Sequence, residues 1–198
     1  MFISCLQLRI LKTKNMSKQK ERWLQRLQHM NTELNALLSR IEAYNEQELH
    51  FKPAADAWSI AQVLHHLFIG EAGTMHYIRK KLSYGPPPAL TRWHRLRGRL
   101  LKLMLSLPLK FKAPAVVSQV PERPDVPAII EQWRATRKEM EDFIRNMPAE
   151  YEHKALFKHP VAGRMGIEGI LDFWEEHLRH HIRQIDRIEQ RMQASFVK

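Results

Sequence analysis

Cysteine is nearly absent from this 198-residue chain. Cys5 is its one thiol, so no intramolecular disulfide can form, and a reducing, cytoplasmic setting is the expectation. Glycine is scarce as well, at seven residues, which argues against a turn-rich β architecture and suits helices. No apolar run approaches the roughly 20 residues that a membrane-spanning helix needs. The opening MFISCLQLRIL is apolar but short, and it lacks both the basic leading region and the small-residue cleavage site of a secretory signal. Residues 1–16 therefore read as a leader outside the fold, with Met16, ahead of a polar and charged helix, as the better translation start. Internal repeats and low-complexity tracts are also missing, so residues 17–198 are read as one domain, long enough to bury a full core.

Negative charge is in deficit: 32 Lys and Arg stand against 21 Asp and Glu, a formal net charge of +11. The surplus is concentrated. Residues 84–125 carry eight Lys/Arg against Glu122 and Asp125, and Arg9, Lys12 and Lys14 add three more in the leader. The rest is near balance, as expected of ordinary solvated helix faces. No recognition helix, zinc finger or aromatic RNA-binding motif accompanies the charge, which argues against a nucleic-acid partner and leaves anionic small molecules or acidic lipid.

Helical periodicity is present over 18–44, 59–82, 128–147 and 167–192, each long enough for a bundle helix. Ser59 followed by Gln62 forms a capping box, with Trp58 placed to staple onto Val63. Asp125 and Pro127 start the third long helix, and Pro148 ends it. The apolar stripes place Trp58, Val63, Leu64, Leu67, Phe143, Phe173, Trp174 and Ile185 in the core. Between the second and third long helices, residues 84–125 form an irregular, partly helical insertion. Its leucines and Met104, from Leu100 to Leu109, need burial: in an extra helix packed over the bundle, in a dimer surface, or at a membrane surface through 92–109.

Histidines carry the chemistry. His177 and His181 are one helical turn apart on a face that also holds Ile170, Trp174, Ile185 and Ile188, so both rings point into the bundle. A histidine on such a face is either a hydrogen-bonded core residue or a metal ligand. His66 on an upstream helix supplies a partner from a second element, while His65 and His180 are adjacent competitors. His29, His50, His76, His94, His153 and His159 lack a partner at ligand spacing and read as surface or loop residues.

The stretch WSIAQVLHHL from Trp58 to Leu67 resembles the start of the second helix in the DinB-like four-helix-bundle family, and HLRHHIRQI from His177 to Ile185 resembles the family's closing motif. HPVAGRMGIEGILDFW, from His159 to Trp174, resembles the loop and first turns of that last helix, with Gly166 at the cap position. The resemblance implies an all-α fold and a three-histidine site for a divalent ion such as zinc or nickel, held by His66, His177 and His181. It further implies transfer of a low-molecular-weight thiol to a small electrophile, a thiol S-transferase-like activity. The chain offers no folded cysteine, so that thiol must arrive as a cosubstrate. Metal-dependent hydrolysis is one alternative. A metal-stabilised binding or stress-response protein without turnover is another. Gln184, one turn past His181, is a candidate for orienting a ligand imidazole or binding substrate, and Glu71 and Trp174 are weaker candidates for such supporting roles. Glu175 and Glu176 flank His177 without a role that spacing can assign.

Overall fold

Local capping decides where the helices start. In a computed structural model that describes residues 16–107 and 120–196, Ser17 accepts a hydrogen bond from the Lys20 amide and opens α1, Lys18–Ile41. Asn45 and Glu48 form a capping box on a one-turn helix, α2, Glu46–His50. Ser59 and Gln62 form the expected box on α3, Ile60–Leu82. Thr91 and His94 make a third box on α4, Arg92–Ser106, inside the insertion. Asp125 caps α5, Val126–Asn146, and Pro148 follows its end. The last helix, α6, spans Ile167–Phe196. Each box satisfies donors that the first helical turn leaves without a partner.

Four of these helices form the bundle. α1 packs on α5 and α6, and α3 packs on the same two, so α1 and α3 lie across a diagonal. One apolar cluster joins Trp23, Leu27, Met75, Ile78, Met140 and Trp174. A second joins Leu34, Leu38, Val63, Leu64, Leu67, Trp133, Leu178 and Ile185. Each fully buried Leu or Ile contributes about 1.5–3 kcal/mol relative to exposure, so the two clusters supply most of the driving force. The fold is all-α, as the sequence implies, with one exception. Phe157–His159 and Gly163–Met165 pair antiparallel as a short hairpin, β1 and β2, where a loop was expected. Gly163 takes φ 76° at its turn. Gly166 has a separate cause: a Cβ there would lie 2.9 Å from the Lys154 carbonyl oxygen, so only glycine fits between the hairpin and α6.

Three burial expectations need correction. Trp58 and Phe143 are only partly buried, because each lies at the margin of its cluster rather than within it. The insertion leucines are not uniformly covered: Leu101 is buried, whereas Leu100, Leu103 and Leu107 are exposed, since α4 rests one face on α6 and turns the other outward. His159 is buried, because the hairpin folds its ring onto Phe173. Residues 1–15 and 108–119 lie outside the described residues, and with them the leader, Cys5 and the second half of the insertion.

Candidate metal centre

α3 and α6 face each other across the second cluster, and their register brings three imidazoles to one point. His66 Nε2 lies 3.1 Å from His177 Nε2, and His181 Nε2 lies 3.1 Å from the same atom. One nitrogen from each ring falls within 4.8 Å of the others. Three nitrogens about 2.1 Å from one ion have edges of about 3.0 Å for octahedral and about 3.4 Å for tetrahedral angles, so 3.1 Å fits a shared divalent ion. Among the described residues this is the one group of metal-competent side chains. Hydrogen bonding alone accounts less well for it, because all three rings present Nε2 to the same space.

The surroundings favour neutral, metal-competent imidazoles. Burial holds the His177 ring well below the usual histidine pKa, with the neighbouring His181 and His66 adding to the effect. Burial, followed by the nearby His66, pushes His181 down to about 3, against a smaller opposing contribution from Gln184. The Gln184 Oε1 atom sits 2.7 Å from His181 Nδ1 and accepts its proton, which leaves the Nε2 lone pair for an ion. Phe173 stacks on His177 at 5.0 Å between centroids, and Trp58 lies 5.0 Å from His66. These rings wall the tripod with apolar surface.

The competing histidines are held apart from it. His65 is next to His66 but a helical step of 100° turns it elsewhere, and its Nδ1 is buried without a hydrogen bond. His180 contacts the His181 ring edge-on at 5.0 Å but is outside the group of converging nitrogens. His159, which its spacing made a surface or loop residue, reaches the periphery of the site: its ring is 4.6 Å from Phe173, the ring that stacks on His177. Its Nδ1 accepts hydrogen bonds from the Val161 and Ala162 amides, so Nε2 carries the proton, and burial pushes its pKa down to about 4.

Two weaker site candidates have partners of their own. Glu71 is 2% exposed and pairs with Arg137, 3% exposed, through Nε at 2.5 Å and through a second guanidinium nitrogen at 2.6 Å. The Trp133 indole also donates to Glu71 at 2.8 Å, and Asn31 takes a third arm of Arg137 at 3.0 Å. Trp174 lies under Arg137 at 5.3 Å and points its indole N–H at Thr74, 3.5 Å away. Glu71 and Trp174 thus share a buried polar layer with Arg137, Trp133 and Thr74. Glu175 is likewise committed, to Arg26 and Arg179.

A family model for the DinB superfamily matches residues 26–185 of the chain. Among solved structures, the chain is similar to YfiT from Bacillus subtilis, described as "a probable metal-dependent hydrolase with an unusual four-helix bundle topology". That likeness has a TM-score of 0.57 and 21% identity, covering 91% of each chain, and at this identity it speaks to the fold. No curated protein matches.

Proposed function

Since the chain belongs to the DinB superfamily, we propose that it is a metal-dependent enzyme whose ion is held by His66, His177 and His181, and that it transfers a low-molecular-weight thiol to a small electrophile. The observation that carries this reading is the convergence of three Nε2 atoms, each pair involving His177 at 3.1 Å, inside an apolar wall. Bound there, a divalent ion supplies Lewis-acid chemistry at its open coordination positions, lowering the pKa of whatever nucleophile it takes.

The residues do the rest. Three neutral imidazoles add no negative charge, so the full charge of the ion is available to a nucleophile. Gln184 keeps the His181 proton on Nδ1, and Phe173 and Trp58 limit water on two sides. Of the acids nearest in sequence, Glu71 is engaged by Arg137 and Trp133 and Glu175 by Arg26 and Arg179, while Glu176 lies 3.8 Å from Arg179. A site arranged this way suits a nucleophile that ionises by coordination without a carboxylate base. A thiol, starting from a pKa of about 8.5, meets that condition far more readily than water. A cytoplasmic setting, where small thiols are kept reduced, agrees with this chemistry.

Hydrolysis is the second reading, favoured by the likeness to YfiT and the description that protein carries. One experiment separates the two. Purified protein is analysed for zinc, nickel and related metals, then incubated with a small electrophile in the presence or absence of several low-molecular-weight thiols. Metal-dependent loss of free thiol supports transfer. Product formation without thiol supports hydrolysis. Metal-loaded protein inert towards a broad panel of electrophiles and esters would instead support a metal-stabilised binding protein.

A further inference from the structure

The outer face of α4 carries an apolar stripe that is left exposed among the described residues. Trp93 is 63% exposed, Leu96 54%, Leu100 56% and Leu103 57%, and Leu107 continues the row. At 100° per residue these five positions fall within about 80° of the helix circumference, one continuous ridge. The ridge cannot swing inward, because the opposite face is already anchored. Gly98 and Leu101 are buried, the Arg97 guanidinium donates to the Val161 carbonyl at 2.9 Å, Lys102 pairs with Asp172 at 2.9 Å, and Arg183 donates to the Leu105 carbonyl at 3.3 Å. Five large apolar side chains in a row are a docking surface rather than scattered surface leucines.

Charge decides what docks. Arg92 and Arg99 are exposed along one margin of the ridge, and Arg95 is exposed further round the helix, about 120° from the ridge centre; none of the three makes an ion pair among the described residues, and Arg97 lies along the other margin. No Asp or Glu occurs anywhere from 92 to 107. A second copy docking through the same ridge would bring these arginines against their own counterparts, with no carboxylate on either helix to neutralise them. An anionic bilayer surface is complementary in both respects: leucines enter the acyl boundary, Trp93 sits at headgroup level, and arginines reach the phosphates. We propose that α4 is a membrane-surface anchor that seats the protein on anionic lipid through Trp93, Leu96, Leu100, Leu103 and Leu107, with Arg92 and Arg99 on headgroup phosphates.

The test is flotation of the full chain with vesicles of phosphatidylcholine alone and of phosphatidylcholine with about one-third phosphatidylglycerol. The wild-type protein is expected to float with the anionic vesicles and to remain below with the neutral ones. Two variants divide the contributions: Leu100→Glu with Leu103→Glu, and Arg92→Gln with Arg99→Gln. Each should raise the half-saturating lipid concentration at least about tenfold, while melting followed by circular dichroism stays unchanged because the positions are exposed. Failure of the wild type to float with anionic vesicles overturns the proposal. So does a dimer in sedimentation that the leucine variant dissociates, which would make a second copy the occupant. Loss of binding in the arginine variant alone also overturns it, since it would reduce the effect to attraction of a basic protein to any polyanion.

Discussion

Gln184 Oε1 accepts a hydrogen bond from His181 Nδ1 at 2.7 Å, across less than one turn of the helix that carries both. The contact selects the imidazole tautomer with a free Nε2 and holds that ring at the point where His66 and His177 also arrive.

Replacing Gln184 with alanine should therefore weaken metal binding by about 10–100-fold without abolishing it, the usual cost of losing a partner that orients a ligand. Competition with a chelating dye measures this directly. Unchanged affinity would reduce Gln184 to a polar helix residue.

His181→Ala should sharply lower metal content, whereas His180→Ala should leave it near the wild-type level. The two residues are adjacent and their rings touch, yet only His181 points Nε2 at His177. Elemental analysis of both purified variants is the check, and equal losses would assign the ligand role wrongly.

The metal-free protein should lose stability as pH falls. His181, pushed down to about 3, and His177, held well below its usual value, both bind protons less readily when folded than the unfolded residue does at about 6.5. The His181 contribution is therefore fully present above about pH 6.5 and is lost progressively towards pH 3, at up to about 1.4 kcal/mol per pH unit, and His177 acts in the same direction. His159, at about 4, acts in the same direction over a narrower window. Urea midpoints of chelator-treated protein at pH 7.5 and pH 5, about 1.5 units below the unfolded value, should differ accordingly. A constant midpoint would mean that the imidazoles are not desolvated in solution.

Glu71→Ala should destabilise the protein by about 3–5 kcal/mol, because it leaves the Arg137 guanidinium buried without its carboxylate. Metal content of the folded fraction should not change. The double variant Glu71→Leu with Arg137→Met should recover much of the loss. Denaturant titration and metal analysis together separate this structural role from a role at the metal.

The sequence by itself determined the four long helices, the caps at Ser59 and Asp125, and the residues that meet at the tripod. Caps and amphipathic stripes act over three or four residues, so Ser59 with Gln62, Asp125, and the Ile170 to Ile188 stripe were legible from spacing alone. The choice of His66, His177 and His181 rested on motifs that contain each residue with its immediate neighbours. Tertiary structure decided the rest, because the relevant partners are distant in the chain. Glu71 is committed to Arg137, 66 residues away, and no local pattern announces that pair. His159 is drawn under Phe173 only once the hairpin closes, and a run of leucines cannot reveal which of them α6 covers. In α4 the helical phase buries Leu101 and exposes Leu100, and that phase is set by anchors on Asp172 and Val161 rather than by the apolar run.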